Sequence, residues 1–268
     1  MNGKKVLVTG ASGYIASWII KYLLEEGFQV RGTVRNKNDV SKVEHLTKLG
    51  ELYPNKLELF EANLLTPNAF KEAMQGCEIV MHTASPFIIN GVKDPQKELV
   101  DPALKGTKNV LMTANEVPSV KRVVLTASVV SIYGDSEDIN STQNAIFTDE
   151  HWNTTSTLTH QAYSYSKTVA EKEAWKIAES QNQWDLVTIH PGFVLGPSLT
   201  NRVDSSSIDF MISMGNGKYA TGVPELYFSI VDVRNVAKAH VNAAIKPEAK
   251  GRYILVNKVL QMLDISNI

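Results

Sequence analysis

A lone cysteine, Cys77, stands in this chain of 268 residues, which excludes an internal disulfide, and no Cys/His cluster has metal-ligand spacing. No excess of either charge is present: 27 Lys and Arg against 28 Asp and Glu leave a formal net charge of −1. The broad basic surface that a nucleic-acid backbone requires is therefore missing. No apolar run approaches the length of a membrane span. The opening, Met1-Asn-Gly-Lys-Lys-Val-Leu-Val-Thr-Gly10, lacks the apolar stretch and cleavage site of a secretory leader. Internal repeats and low-complexity segments are absent too. These absences lead us to expect a cytoplasmic, metal-free protein with no nucleic-acid or membrane partner. A hydrophobic content of 43% suffices for one sizeable core, with or without a small appended lobe.

What the sequence does contain is alternation. Short apolar runs at Val6–Val8, Val30–Val34, Leu57–Phe60, Ile79–Met81, Val123–Thr126 and Leu186–Ile189 read as strands. Between them lie stretches of helical period, such as Ile15, Ile19, Tyr22 and Leu23, which Gly27 closes. Strands alternating with helices imply right-handed crossovers and a parallel sheet covered on both faces, a doubly wound α/β fold of the Rossmann type. The pattern weakens after Pro191: Leu199–Ser207 is polar, and Met214-Gly-Asn-Gly-Lys218 reads as a turn. The expectation is a large domain over 1–190 and, over 191–268, mostly a small substrate-binding lobe that partly returns to the main sheet. Thr142–Asn144 and Asn153–Thr159 read as surface loops flanking Phe147 and Trp152.

The first strand runs into Thr9-Gly-Ala-Ser-Gly-Tyr-Ile-Ala16 and then a helix. Gly10 permits a tight turn, Gly13 lets the backbone approach a pyrophosphate, and Ala16 stands where close helix–strand packing is needed. A helix N-terminus offers N–H groups and a positive dipole end to phosphates. Gly10, Ser12, Gly13, Tyr14 and Ile15 thus form a candidate cradle, and residues 1–190 a dinucleotide-binding domain. At the end of the second strand a carboxylate selects the ribose hydroxyls of NAD, whereas an arginine accommodates the extra phosphate of NADP. Arg35 and Lys37 stand there, with no carboxylate before Asp39. NADP(H) is the expected cofactor, Arg35 offering a planar fork and Lys37 a point charge.

Tyr163-Ser-Tyr-Ser-Lys167 opens a further helix, and the spacing puts Tyr163 and Lys167 on one face, one turn apart. A neighbouring ammonium favours the phenolate, so the spacing predicts a lowered Tyr163 pKa and proton exchange with a carbonyl or alcohol oxygen. Lys167 is also placed to reach the nicotinamide ribose. Ser128 closes the strand Arg122-Val-Val-Leu-Thr-Ala-Ser128 at its carboxyl end, where a hydroxyl orients a substrate oxygen; Ser131 is the competitor in the following loop.

At these residues the sequence resembles the extended short-chain dehydrogenase/reductase family. The likeness is greatest to its dihydroflavonol reductase-like branch, with cinnamoyl-CoA reductases and yeast methylglyoxal (isovaleraldehyde) reductases. Besides the glycine loop, the resemblance rests on His82-Thr-Ala-Ser-Pro-Phe87, Gly106-Thr-Lys-Asn-Val110, Tyr163-Ser-Tyr-Ser-Lys-Thr-Val-Ala-Glu171, His190-Pro-Gly-Phe-Val-Leu-Gly-Pro197 and Asp232-Val-Arg-Asn-Val-Ala237. It implies catalytic roles for Ser128, Tyr163 and Lys167, and cofactor contacts from Thr83, Ala84, Ser85, Pro191, Phe193 and Val194. Asn109 matches an asparagine that supports a relay water, with helix packing an equal alternative. In NAD-using epimerases an acidic residue corresponds to Val34, which again favours NADP(H).

Departures are informative too. Asn63-Leu64 replaces a common Asp-Leu, leaving an amide to meet the adenine edge, and His190 replaces a frequent asparagine. The Asn-Trp-Tyr-Cys-Tyr-Gly-Lys signature of cinnamoyl-CoA reductases is absent around Tyr163, which points away from that activity. Family members run several dozen residues further, so the small lobe is expected to be incomplete at Ile268. The family layout places Phe87, Ile88, Tyr165, Phe193, Met211 and Met214 around the substrate, an apolar set suited to a hydrophobic carbonyl compound. The leading expectation is an NADPH-dependent carbonyl reductase, monomeric or homodimeric. The alternatives are an NAD-dependent nucleotide-sugar epimerase or dehydratase and a non-catalytic dinucleotide sensor.

Overall fold

All six apolar runs become strands of one sheet: β1 Lys5–Thr9, β2 Gln29–Val34, β3 Leu57–Glu61, β4 Ile79–His82, β5 Arg122–Thr126 and β6 Asp185–Pro191. The computed structural model describes residues 3–85, 91–200, 205–219 and 221–266. Four further strands follow, β7 Phe193–Leu195, β8 Tyr227–Asp232, β9 Gly251–Leu255 and β10 Lys258–Gln261. The seven-stranded sheet has the order β3-β2-β1-β4-β5-β6-β9, and every neighbouring pair in it is parallel. A second sheet, β10-β8-β7, pairs β8 antiparallel to β10 and parallel to β7. The chain thus adopts the expected Rossmann-type α/β fold.

The helices are α1 Tyr14–Glu25, α2 Val40–Leu52, α3 Lys71–Met74, α4 Asp101–Glu116, α5 Ala162–Glu179, α6 Ser206–Gly215, α7 Val233–Ile245 and α8 Met262–Ser266. Alternate strand residues feed opposite faces of the sheet. Val6 and Val8 join Ile19, Leu23, Leu46 and Val236 in one apolar cluster, while Leu7 joins Val80, Leu111 and Ile177 in another. Both sides being buried explains the near-continuous apolar runs. Gly27 ends α1 as expected: its φ is +84°, its N–H bonds Leu24 O, and the Phe28 N–H reaches back to Leu23 O. Those two bonds satisfy carbonyls that the helix end leaves open.

Strand order reverses between β1 and β4. Ligands of open α/β sheets bind in the crevice outside such a switch point, at the carboxyl ends of the strands. The glycine loop, Thr83–Ser85 and Ser128 all lie there.

Candidate active site

The Thr9 side chain organises the switch point. Its hydroxyl oxygen accepts the N–H groups of Thr83 (3.2 Å) and Ala84 (3.1 Å) and lies 2.9 Å from Nδ1 of His82. With both lone pairs used, that hydroxyl donates to Nδ1, which leaves the His82 proton on Nε2. The Thr83 hydroxyl donates to Thr9 O, and the two loops are thereby laced together. Gly10 has φ +66°, and a Cβ there would stand 3.0 Å from Cα of Ala84, so both conformation and space require glycine. Gly13 precedes α1 in extended conformation with no side-chain cap, and no acidic residue occupies the first turn. The N-terminus is therefore electropositive, which suits an anion. Tyr14 does more than line this cradle: its phenol donates to Gly196 O (2.7 Å), and the Trp18 indole donates to Pro197 O (2.9 Å), tying α1 to the chain beyond β7.

Arg35 and Lys37 lie exposed beyond β2, and no described residue bonds the Arg35 guanidinium. Sequence proximity misses one carboxylate here. Glu61, at the end of neighbouring β3, accepts the Lys37 N–H at 3.0 Å and pins the basic loop. Asn63 folds into a turn, its side-chain oxygen accepting the Leu65 N–H at 2.9 Å, and Leu64 packs on Gly106 of α4. Asn109 donates to Leu64 O (3.0 Å) and Thr66 O (2.6 Å), so its amide tethers this loop. An arginine fork with no partner among the described residues, together with an uncapped helix start, fits a phosphorylated dinucleotide.

Ser128 adopts an extended conformation at the turn after β5. Ser131 is fully buried and its hydroxyl donates to Ser128 O at 2.7 Å, which leaves Ser128 as the half-exposed hydroxyl at the strand end. The stretch from Asn153 to Thr159 corrects the surface-loop expectation: Asn153 is 3% and Ser156 8% exposed. They bury because their polar atoms are satisfied locally. The Asn153 amide donates to Val130 O (2.7 Å) and Ser156 Oγ (2.8 Å), while its backbone N–H donates to Ser131 O (3.0 Å). This polar segment clamps the turn that presents Ser128.

Lys167 closes the arrangement. Its ammonium donates to Thr126 O (3.0 Å), which seats the Tyr163/Lys167 face of α5 against the end of β5, two residues before Ser128. Burial brings Lys167 down to about 8, opposed by the Glu171 carboxylate. Tyr163 differs from the expectation: desolvation pushes its phenol up from 10 rather than down, because surroundings poor in water disfavour the phenolate. Tyr165, two residues along the helix, does not share this face.

Thr126 also donates to Nε2 of His240 (2.8 Å), whose Nδ1–H reaches Val236 O (2.8 Å). Burial lowers His240 to about 4 and His82 to about 3, from 6.5. Between those values the unfolded chain binds both protons and the folded chain neither, so stability falls as pH drops below 6.5. The expected loss is about 4 kcal/mol between pH 7 and pH 5, at about 1.4 kcal/mol per unit for each histidine. Urea unfolding at the two pH values checks this; equal stabilities would contradict it.

The chain passes from the main sheet to the second sheet at Gly192, between β6 and β7. A Cβ there would lie 2.0 Å from Ser229 O, so only glycine lets the chain cross from β6 to β7. Gly192→Ala is expected to destabilise by about 3 kcal/mol, read as a lower urea midpoint; an unchanged midpoint would contradict the close approach. Pro191 ends β6 opposite Leu255, and Val194 is buried opposite Val231 in the second sheet. The Phe193 ring packs against Phe210 and Phe228, with centroids 5.0 and 5.2 Å away, joining α6 to the second sheet. Met211 lines a cavity of about 370 Å³ with Tyr14, Leu195, Ile208 and Ile212, whereas Met214 lies outside that lining. Phe87 and Ile88 lie outside the described residues. Among the described residues no cluster of metal-ligating side chains occurs, and no helix is long and apolar enough to cross a membrane.

Comparison with known proteins gives a consistent picture. Residues 6–257 match the NAD dependent epimerase/dehydratase family. A cinnamoyl-CoA reductase of Medicago truncatula is 44% identical over 99% of this chain and 80% of its own. Cinnamoyl-CoA reductase 1 of Arabidopsis thaliana is 42% identical over 99% and 74%. The crystal structure of a yeast methylglyoxal/isovaleraldehyde reductase complexed with NADPH superposes with a TM-score of 0.86 at 31% identity, covering 97% of this chain and 80% of that one.

Proposed function

The chain belongs to the NAD dependent epimerase/dehydratase family, the extended short-chain dehydrogenases/reductases, in its dihydroflavonol reductase-like branch, and from that premise we propose that it reduces a ketone or aldehyde to an alcohol with NADPH. The observation that supports this reading is the Lys167–Thr126 bond, which holds the α5 face of Tyr163 and Lys167 against the end of β5, two residues before Ser128. The uncapped start of α1 and the fork of Arg35, which no described residue bonds, support NADP(H) as the cofactor, as do solved relatives that hold NADPH.

Bound there, the nicotinamide supplies the hydride. The chain's own groups manage the oxygen. Ser128 donates a hydrogen bond to the carbonyl oxygen and fixes its direction. Tyr163, whose burial keeps the phenol protonated at neutral pH, gives its proton to that oxygen as charge develops. A raised pKa is compatible with this direction of reaction, since a donor must hold its proton until it is needed. Lys167 places a cation beside the phenolate left behind. The cofactor end is shaped by Gly10, Ser12, Gly13, Tyr14, Ile15, Arg35, Lys37, Asn63, Leu64 and Thr83–Ser85, with Pro191, Phe193 and Val194 at the nicotinamide. Residues 1–190 then form the cofactor domain and 191–268 mostly the substrate lobe.

Loss of nicotinamide absorbance tests the reading, with NADPH and NADH in parallel. The panel holds a dihydroflavonol, methylglyoxal, an aryl ketone, a branched aldehyde and cinnamoyl-CoA. NADPH consumption with matching alcohol formation is expected for at least one free ketone or aldehyde. Silence across the panel, or isomerisation of a nucleotide sugar on retained NAD, overturns it.

A further inference from the structure

Behind Lys167 lies a buried charge cluster that the chemistry above leaves unused. Glu171 follows Lys167 by one turn of α5 and is 1% exposed. Its Oε1 accepts from Nε2 of His190 (2.8 Å), Nε of Arg252 (2.8 Å), the Trp175 indole (3.2 Å) and the Thr188 hydroxyl (3.4 Å). Arg252, on β9, also donates to the carbonyls of Asp149 and His151 (both 2.6 Å) and of Ser131 (3.4 Å), and its guanidinium stacks 3.8 Å over Trp152. One guanidinium thus touches the helix of Tyr163 and Lys167, the turn of Ser128 and residues 149–152, which lead into the segment that clamps that turn.

For stability alone an apolar side chain would serve about as well, because desolvating a charge pair offsets most of its attraction. What a carboxylate adds is a field. Glu171 and Lys167 line one small, partly open cavity together with His82, Thr107 and Thr126. The titratable groups facing Lys167 are Tyr163 and Glu171 from its own helix and His82 from β4; Arg252 and His190 face it only through Glu171. Burial keeps His82 neutral, so among the described residues Glu171 is the anion that acts on the ammonium. Its hydrogen bonds and the Arg252 charge hold Glu171 itself at about 2 despite burial.

We propose that Glu171, held by Arg252 and His190, is a positioning residue that keeps the Lys167 ammonium charged and seated on Thr126, so that the proton step at Tyr163 depends on a carboxylate outside the Ser–Tyr–Lys set. This rests on the reductase reading. The test is Glu171→Gln, with pH profiles of kcat and KM for a reduced carbonyl. Alongside, ¹³C-NMR titration of protein labelled at lysine Cε follows Lys167 directly, Lys167→Met assigning its signal. The basic limb of kcat and the Lys167 midpoint, about 8 in the wild type, move down together by about one pH unit, lowering kcat about fivefold at pH 8, while KM barely changes. A purely structural role would lower stability and leave the limb in place. Because Glu171→Gln strands the Arg252 charge, the double variant Glu171→Gln/Arg252→Met keeps the interior neutral, and the same displacement is expected there. An unmoved midpoint in the folded variants overturns the proposal. A wild type that reduces nothing overturns the reductase reading, and the midpoint still decides the coupling.

Discussion

Tyr163→Phe is expected to lower kcat about a thousandfold, the scale of a lost general acid, with NADPH affinity changed by no more than about twofold. The substitution deletes one hydroxyl and keeps the ring, so the packing of α5 on the end of β5 survives. The Lys167–Thr126 bond does not involve the phenol and survives as well. What disappears is the proton held for the developing alkoxide. Steady-state turnover with NADPH gives kcat, and quenching of tryptophan fluorescence gives affinity. Retained turnover would move proton donation to Ser128 or to solvent; loss of binding together with turnover would mean that the phenol builds the cofactor site.

Arg35→Ala is expected to weaken NADPH about 30-fold and NADH less than about twofold, since one charge-assisted fork to a phosphate is at stake. The side chain is exposed and bonds no described residue, so its removal leaves the fold unstrained. The discriminating readout is the ratio of the two dissociation constants. Equal losses for both dinucleotides would remove the phosphate role and shift cofactor choice to Lys37 or to the loop pinned by Glu61.

The parts of this protein legible in its sequence are those set by local periodicity. Strands buried on both faces announce themselves as apolar runs, and the glycine loop and the Tyr163/Lys167 spacing are each contained within one turn or one helix. β9 escaped because an edge strand, covered on fewer sides, carries Arg252 and Tyr253 among its apolar residues. Glu61 reaches the basic loop through strand pairing, a contact between residues 24 apart that sequence adjacency cannot register. Asn153 and Ser156 carry the polarity of solvent-facing residues, yet their mutual hydrogen bonds let them bury. The pairing of Glu171 with Arg252 spans 81 residues and two elements, and only the fold brings it behind Lys167. Tyr163 shows the opposite limit: spacing sets Lys167 one turn along the same helix, but burial decides the direction in which the proton affinity of Tyr163 moves.

Net hydride transfer from NADPH to a carbonyl carbon is followed by an isotopic label. Wild-type protein is given NADPH deuterated at C4, in each of its two stereoisomers, with a carbonyl that it consumes. The expected result is one deuterium on the carbinol carbon from one stereoisomer only, one alcohol per NADPH oxidised, and none of this with Tyr163→Phe. Product without label, or substrate rearranged while the dinucleotide stays bound and unconsumed, would contradict it.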